Sequence, residues 1–412
     1  MKKFMALVMA MAMVLCLFAG CGSSASTPAE STAPETTAPE TTAPDENTGD
    51  AESPASVATG TFKLGGIGPL TGDAAIYGTA VMNAVQIAVD EINAMGGVQF
   101  EFKAEDDVAD GETAVNAYNN LLDWGMQILI GPVTTGSAIA VSAELNNDRV
   151  FGLTPSASSA DVTAGKDNMF QLCFTDPNQG VASADYMAEN MADAAIAIIY
   201  RNDDAYSQGI RDAFVSEAGE VGLNIVYEGT FTKDTQTDFS VQLNAAQSAG
   251  ADLVYLPIYY QPISVILNQA KNIGYAPAFF GVDGMDGILA MEGFDTSLAE
   301  GVMLMTPFNA WGTDEKTASF VAEYESRYGD TPNQFAADGY DCVYAIYNAL
   351  NAIGADGSMS AEELCEQLVA TFTDSSFAVD GLTGSGMHWS TNGEVSKAPV
   401  VAVISDGIYV TK

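Results

Sequence analysis

The chain has 412 residues, enough for about two domains at the usual ~100–200 residues each, and 48% of its residues are hydrophobic. Its 54 Asp and Glu residues outnumber its 14 Lys and Arg residues, so the formal net charge is −40. Such a surface repels phosphate backbones and anionic lipid, which argues against a nucleic-acid partner and against membrane attachment through a basic patch.

The N-terminus has the pattern of a secretory signal. A Lys-Lys pair precedes an apolar run over residues 4–18, and the small residues Ala19 and Gly20 stand directly before Cys21. The run is shorter than the ~20 residues that a membrane-spanning helix needs, so we predict a signal peptide over residues 1–20. A cysteine at this place resembles the lipobox of bacterial lipoproteins, whose thiol is lipidated. The alternative is a plain signal peptide followed by a chance cysteine.

The segment that follows has the composition of a spacer. Residues 21–60 are mostly Ser, Thr, Ala, Pro and Glu, and the unit Thr-Ala-Pro-Glu-Thr repeats within residues 31–44. Such a segment buries too little apolar surface to offset the entropy of ordering its chain, so we predict a disordered linker. Its proline content favours an extended form.

From residue 61 onward, apolar strand patterns alternate with amphipathic helical patterns. The predicted strands cover 62–67, 98–103, 127–130, 150–153, 195–200, 224–227, 253–257 and 278–280. The predicted helices cover 81–92, 114–124, 138–145, 209–218, 239–249, 263–273, 319–328 and 341–352. Strands that are apolar throughout and alternate with helices predict parallel sheets covered on both faces. These strand runs are too many for one compact sheet, so we predict an α/β fold of two doubly wound parallel-sheet lobes.

Polar, turn-rich segments follow the predicted strands. The candidate ligand-binding residues in these segments are Tyr77, Thr135, Ser156, Ser158, Tyr206, Tyr259 and Asp283. In open α/β sheets, ligands bind beyond the carboxyl ends of the strands, so we expect these side chains to meet in one crevice. Taken alone, each Ser or Thr is better explained as a turn or helix cap, and each Tyr as a core or lid residue.

The chemistry of these candidates suits a small zwitterion. Hydroxyl groups and free N–H groups at helix N-termini suit a carboxylate. The fixed negative charge of Asp283 suits an ammonium group, and tyrosine rings offer apolar faces that also attract cations.

Signals for catalysis, a cofactor or a metal are absent from the sequence. The chain has a single histidine, His388, and no Gly-x-Ser-x-Gly elbow, and the segment 131–137 lacks the Gly-Lys of a phosphate-binding loop. Cys173, Cys342 and Cys365 have no metal or disulfide spacing and are predicted to be small buried residues. We therefore predict that the protein is not an enzyme and uses no cofactor.

Several short segments together resemble one known family. They are Gly-Pro-Leu-Thr-Gly at 68–72 with Tyr-Gly at 77–78, Ala-Val-Asp-Glu-Ile-Asn at 88–93 with Gly-Gly at 96–97, Asp-Asp at 106–107, Ile-Gly-Pro at 130–132, Thr-Pro-Ser-Ala-Ser at 154–158, Asp-Ala-Tyr at 204–206 with Gln-Gly at 208–209, Asp-Phe at 238–239 and Ile-Leu-Asn-Gln-Ala at 266–270. In this order they resemble the branched-chain amino-acid-binding proteins of the type I periplasmic-binding fold. The resemblance extends from about residue 62 to the C-terminus.

The resemblance implies roles for the candidate residues. It implies that Thr135 and Ser158 hold the ligand's carboxylate with backbone groups around Ser156, and that Asp283 holds its ammonium group. The three candidate tyrosines would close over the ligand side chain. Ser158 stands where Thr is common in the family, which bears on the choice of ligand side chain.

The resemblance also implies an architecture and a function. Lobe 1 is expected to comprise residues 61–175 plus 308–388, and lobe 2 residues 176–307 plus 389–412, with a multi-strand hinge between them. We expect a monomer, anchored by lipidated Cys21 to the outer face of the cell membrane, that captures a branched-chain or other aliphatic amino acid by hinge closure. It would deliver this ligand to the permease of an ABC importer. The alternative is a ligand-sensing receptor module of the same fold for another small amide or carboxylate.

Overall fold

The computed structural model describes residues 57–412, and that part of the chain contains ten α-helices and twelve β-strands. The predicted signal peptide, Cys21 and most of the predicted linker lie outside the described residues. The last residues of the predicted linker join the folded body, since Ala58 is buried and the Thr59 N–H donates to the Ala355 carbonyl at 3.0 Å. None of the helices in the described range combines the length and apolar character required to cross a bilayer.

The strands are β1 (Gly60–Gly68), β2 (Val98–Asp106), β3 (Ile128–Ile130), β4 (Phe151–Thr154), β5 (Met169–Gln171), β6 (Ala195–Arg201), β7 (Asn224–Phe231), β8 (Leu253–Leu256), β9 (Ala278–Gly281), β10 (Met303–Thr306), β11 (Val400–Ser405) and β12 (Ile408–Thr411). The helices are α1 (Ala75–Met95), α2 (Gly111–Trp124), α3 (Thr135–Asp148), α4 (Asp176–Asn190), α5 (Ala205–Val221), α6 (Ser240–Ser248), α7 (Tyr260–Ile273), α8 (Glu315–Tyr328), α9 (Gln334–Ile353) and α10 (Ala361–Phe372).

The first sheet has the strand order β2-β1-β3-β4-β5, and all of its pairings are parallel. Side chains alternate between its two faces, as the period of a strand requires. Ile128 and Ile130 pack in the core on the side of α1, α9 and α10, whereas Leu129 packs on the side of α2 and α3. Burial on both faces explains why these strands are apolar throughout.

The second sheet has the order β12-β11-β10-β9-β8-β6-β7. Its strands β6 to β10 are parallel, whereas β11 runs antiparallel to both β10 and β12. Ile198 packs against α4 and α5 on one face, and Ile199 packs with the residues of α6 and α7 on the other. The predicted two-lobed, doubly wound α/β fold is thus confirmed, with an antiparallel hairpin at one edge that the sequence interpretation did not include.

The chain passes between the two sheets three times. It leaves the first sheet between β5 and β6, returns after β10 through α8 to α9, and crosses again before β11. A buried ion pair holds the third passage in place, because the Lys397 ammonium lies 2.8 Å from Asp338 of α9 and 2.6 Å from the Thr383 hydroxyl.

Some elements differ from the sequence prediction. Strands β5, β10, β11 and β12 and helices α4 and α10 were not predicted, and α9 begins at Gln334 instead of residue 341. The predicted burial of Cys173, Cys342 and Cys365 is confirmed, and all three are free thiols.

Candidate functional site

The candidate residues lie at the switch points of the two sheets. In the first sheet β1 lies between β2 and β3, so the loops after β1 and β3 leave toward opposite faces and open a crevice between them. In the second sheet β6 lies in the same way between β7 and β8. Loops and helix starts from both sheets line one small cavity at this place.

One side of the cavity is the N-terminus of α3. Thr134 is the N-cap of this helix but its side chain makes no capping hydrogen bond, and its Oγ1 atom is buried without a partner. The first intrahelical bond comes from the Ala138 N–H, so the N–H groups of Thr135 and its two successors are not used within the helix. Ser156 closes this side, and its hydroxyl donates to the Val133 carbonyl at 2.7 Å. This end of the cavity therefore offers donors and the positive end of a helix dipole.

The opposite side of the cavity carries a buried carboxylate. Asp283 is 3% exposed, and its Oδ1 accepts from the Tyr206 hydroxyl at 2.6 Å and from the Gly284 N–H at 2.7 Å. Burial raises the pKa of Asp283 to about 6, and the hydrogen bonds from the Tyr206 hydroxyl and the Gly284 N–H oppose the rise. No described Lys or Arg lies within ion-pair distance of this carboxylate.

Aromatic rings form the remaining wall. Tyr206 stacks on Tyr259 with ring centroids 4.8 Å apart, and Tyr77 meets Tyr259 edge-on at 5.6 Å. Phe335, at the start of α9, lies 4.3 Å from the Tyr77 ring. These faces give the cavity an apolar surface between its donor end and its carboxylate end.

Side chains bridge the cavity from one sheet to the other. The Tyr77 hydroxyl of α1 donates to the Gly284 carbonyl and accepts from the Tyr260 N–H at 3.2 Å. The Gln334 amide of α9 donates to the Asp283 carbonyl at 2.8 Å. The enclosed volume is about 10 Å³, close to the size of one water molecule. A wider space of about 540 Å³ lies outside it and also touches Thr134 and Tyr259.

The structure brings most of the predicted residues together. Tyr77, Thr135, Ser156, Tyr206, Tyr259 and Asp283 all line the small cavity. Ser158 does not line it; this residue is fully buried, and its hydroxyl has no hydrogen-bond partner.

The sequence interpretation missed Phe335 and Thr134. Phe335 was missed because the helical pattern was read only from residue 341, and no local signal relates that segment to the strand ends. Thr134 could have been found as an N-cap residue before the predicted helix at 138–145. Among residues 57–412, no group of three or more His, Cys, Asp or Glu side chains could hold a metal ion.

The fold and the cavity define a class of protein, namely a two-lobed α/β protein with a small polar and aromatic cavity between its sheets. The family model described as periplasmic binding protein matches residues 61–407. The chain therefore belongs to the periplasmic binding protein family. Its members are solute-binding proteins, so the prediction that this chain is not an enzyme is confirmed.

Relatives identified by sequence agree with this assignment. A Leu/Ile/Val-binding protein homologue of Brucella melitensis is 34% identical over 56% of this chain and 63% of that protein. A Leu/Ile/Val-binding protein of Rhizobium johnstonii is 33% identical over 56% of this chain and 64% of that protein, so the chain matches less than two thirds of each. A Pseudomonas aeruginosa protein that binds leucine, isoleucine, valine, threonine and alanine is 28% identical over 75% of this chain and 83% of its own length.

Solved structures of solute-binding proteins share the fold of this chain. The substrate-binding protein of a Streptococcus pneumoniae branched-chain amino acid transporter, in complex with isoleucine, has a TM-score of 0.75 and 27% identity over 86% of this chain and all of its own. A solute-binding protein from R. palustris in complex with benzoate also has a TM-score of 0.75, but at 20% identity over 85% of this chain and 95% of its own it shows the fold alone.

Proposed function

We propose that the protein captures an amino acid with a branched-chain or other aliphatic side chain and delivers it to the permease of an ABC importer. This proposal rests on the opposite polarity of the two ends of the cavity. The α3 N-terminus offers donors for a carboxylate, and Asp283 offers a buried negative charge at the opposite end. The names of the Brucella, Rhizobium, Pseudomonas and Streptococcus proteins, which refer to branched-chain amino acids, support this choice of ligand.

The buried carboxylate favours an amino acid over an aromatic acid. A benzoate ligand carries one negative charge and no cation, so it would leave Asp283 buried without a partner. An α-ammonium group would supply the missing partner.

Hinge movement follows from the size of the cavity. A volume of about 10 Å³ cannot admit an amino acid, so the two lobes must separate for a ligand to enter and close again around it. We assign lobe 1 to residues 61–175 plus 308–388 and lobe 2 to residues 176–307 plus 389–412. The Tyr77 and Gln334 hydrogen bonds across the cavity support a closed state that the ligand would favour by its own contacts.

The N-terminal pattern supports a tethered location. With a signal peptide over residues 1–20, lipidation of Cys21 would hold a monomeric protein at the outer face of the cell membrane. The Ser/Thr/Pro/Glu-rich linker would separate the anchor from the folded body, which leaves both lobes free to reach a permease.

A thermal-shift and calorimetric screen tests the proposal. The purified protein would be unfolded and refolded to remove any carried ligand, and then mixed with Leu, Ile, Val, Ala, their deaminated acids and benzoate. A ligand at 100 times its Kd adds about 2.7 kcal/mol of stability, which is a clear shift in Tm. We expect the amino acids to bind and the deaminated acids and benzoate not to bind.

The Asp283→Asn variant tests the site within the same screen. It should lose amino-acid binding, whereas Asp185→Asn, which removes an exposed charge from α4, should keep it. A flat response to every amino acid, or unaltered binding by Asp283→Asn, would contradict the proposal and favour a receptor module for another small amide or carboxylate.

A further inference from the structure

A larger space adjoins the small cavity, and we call it the outer cavity. Its volume is about 540 Å³, and Thr134 and Tyr259 contribute to the walls of both spaces. The loops that follow β1 and β2 of the first sheet and β6 and β7 of the second sheet enclose it. A ligand side chain that leaves the small cavity between Thr134 and Tyr259 would therefore enter the outer cavity.

One hydrogen bond joins the two sides of the outer cavity at its rim. The Gln236 amide, in the loop after β7, donates to the carboxylate of Asp73, in the loop after β1, at 3.0 Å. Both residues line the outer cavity. The space is therefore bounded by both sheets in the same closed state as the small cavity, and a group inside it can contact both sides.

Two cationic side chains line the outer cavity in a chain that has few of them. The sequence has 14 Lys and Arg residues against 54 Asp and Glu residues, and both Arg201 and Lys233 lie at this space. Arg201, the last residue of β6, is half-buried, and its Nε donates to Asp203 at 2.6 Å. Its two Nη groups make no hydrogen bond within residues 57–412. Lys233 has no described acid within ion-pair distance.

The acidic side chains around the outer cavity already have hydrogen-bond donors from the protein. Asp73 is bonded across the rim, and Asp204 caps the start of α5. Asp203 accepts the Arg201 Nε and, at 3.1 Å, the backbone N–H of Lys233. Asp73 and Asp203 are exposed, so solvent screens their charges. The unused hydrogen-bonding capacity therefore belongs to the donors of the two cations, which suit an anion.

Two neutral polar side chains of the outer cavity also lack partners. Thr134 is 6% exposed with its Oγ1 unpartnered, and the Oε1 of Gln261, in the first turn of α7, is buried without a partner. Buried polar atoms are nearly always satisfied, so these atoms indicate that a polar group belongs beside them. The pKa of Tyr259 is raised by burial and by the Asp204 charge, and the Arg201 charge opposes this rise. Arg201 therefore lies near the wall that both spaces share.

We propose that the outer cavity is a second subsite of the ligand, in which Arg201 and Lys233 bind an anionic group at the far end of an amino-acid side chain. This inference rests on the proposed function, because the α-carboxylate and α-ammonium groups of the ligand keep the positions given above. The ligands then include amino acids with a distal carboxylate, such as glutamate and the longer 2-aminoadipate, as well as aliphatic ones. The planar guanidinium can bind a carboxylate through both Nη groups, and Lys233 adds a point charge at the mouth.

The negative charge of the whole chain does not prevent this binding. A net charge of −40 repels an acidic ligand at long range. Salt, however, screens exposed charges beyond about 8 Å at physiological ionic strength. A carboxylate beside the half-buried Arg201 is closer to its partner and less screened than the distant surface charges. Contacts inside the outer cavity therefore set the affinity, whereas the overall charge mainly slows association.

Calorimetry at pH 7 with two pairs of ligands tests the inference. Glutamate and glutamine differ in the charge of the side-chain end, and 2-aminoadipate and norleucine form a longer pair that differs in the same place. We expect at least one of the two acids to bind the wild-type protein about tenfold more tightly than its neutral partner. The inference is overturned if neither acid binds better than its neutral partner while leucine binds.

Substitutions of the two cations locate the effect. Arg201→Gln removes the guanidinium and keeps a polar side chain, and it should reduce the preference for the acid over its neutral partner by about tenfold to a hundredfold. Lys233→Gln should act in the same direction but less strongly, since exposed charges contribute less. Arg211→Gln is the matched control, because Arg211 is also half-buried and paired with acids but does not line the outer cavity. It should leave the preference unaltered.

The source of the anionic group is tested with acetate. Titration of acetate into the leucine-loaded protein should give no binding that Arg201→Gln abolishes, because the anion belongs to the ligand's own side chain. Binding of acetate that depends on Arg201, without tighter binding of either acidic amino acid, would overturn the inference in favour of a separate anion. An acid preference that persists in Arg201→Gln would overturn it as well. Failure of every amino acid to bind the wild-type protein would instead overturn the proposed function.

Discussion

At Asp283, burial and hydrogen bonding act in opposite directions. Burial disfavours the charged form and raises the pKa to about 6, whereas the Tyr206 hydroxyl and the Gly284 N–H stabilise the ionised carboxylate. The carboxylate is therefore held in a fixed orientation without being neutralised by a protein cation. It remains available to a cation that enters the cavity.

Removal of the Tyr206 hydroxyl should weaken ligand binding and leave the aromatic wall of the cavity in place. In Tyr206→Phe, Asp283 loses its 2.6 Å hydrogen bond, so its pKa rises further and a smaller fraction is ionised to pair with an ammonium group. A hydrogen bond to a charged group contributes about 1.5–3 kcal/mol, so we expect the Kd for leucine at pH 7 to rise at least tenfold by calorimetry.

Tyr255→Phe is the matched control for this variant. The Tyr255 hydroxyl is also buried in the second sheet, but it bonds the Ser183 hydroxyl at 3.2 Å and does not line the cavity. Its loss should lower stability slightly and leave the Kd unaltered. Equal effects of the two variants on binding would show that Tyr206 acts only through general packing.

Among the elements, the contact between α4 and α5 positions much of the site. Gln179, which accepts the Asp283 N–H at 3.1 Å, belongs to α4, and Tyr206 is the second residue of α5. The two helices approach so closely at Gly180 that an added Cβ atom would lie 2.5 Å from the Ile210 carbonyl oxygen and 2.7 Å from the Phe214 nitrogen. Backbone atoms cannot move aside as a flexible side chain can.

Gly180→Ala should therefore separate these helices and destabilise the protein. Overpacking in a well-packed core costs about 1–3 kcal/mol, so the midpoint of urea denaturation should fall. Gly219→Ala is the control within α5, since an added Cβ atom there meets nothing within 4 Å. It should raise the free energy of unfolding by about 0.5–1 kcal/mol, because alanine favours a helix interior over glycine. A stabilising effect of both substitutions would show that the helices are less tightly packed than the structure describes.

The whole molecule combines a net charge of −40 with several carboxylates that are buried. Burial raises the pKa of Asp107, Asp283 and Asp286 to about 6 and that of Asp338 to about 7. In the folded state these groups hold protons at a pH where the unfolded chain has already lost them. The folded state thus binds more protons between about pH 4 and pH 7.

The stability of the ligand-free protein should therefore fall as the pH rises from about 4.5 to 7. The sign follows from linkage, because stability decreases with pH wherever the folded state binds more protons than the unfolded state. A series of Tm measurements at constant high ionic strength, which screens the surface charges, would check this slope. A Tm that increases steadily over the same range would contradict the assigned burial of these carboxylates. Saturating amino acid should reduce the fall, since its ammonium group stabilises the ionised form of Asp283.

Local patterns in the sequence were sufficient for the general architecture. Apolar runs such as 253–257 and 150–153 lie in doubly buried strands, and helical periodicity marked α1 and α7, because burial on one or both faces dictates side-chain polarity residue by residue. The edge hairpin had a local signal that went unused. Asp406 and Gly407 both have positive φ in the turn between β11 and β12, as an Asp-Gly hairpin turn requires.

By itself, the sequence determined the two-lobed α/β fold, the family and the placement of Tyr77, Thr135, Ser156, Tyr206, Tyr259 and Asp283 at strand ends. The tertiary structure alone decided which more distant groups join them. Phe335 reaches the aromatic wall because α9 packs beside α1, and Gln179 of α4 accepts the Asp283 N–H. Contacts of this kind depend on how helices pack across the fold, and side-chain periodicity within one segment carries no information about them.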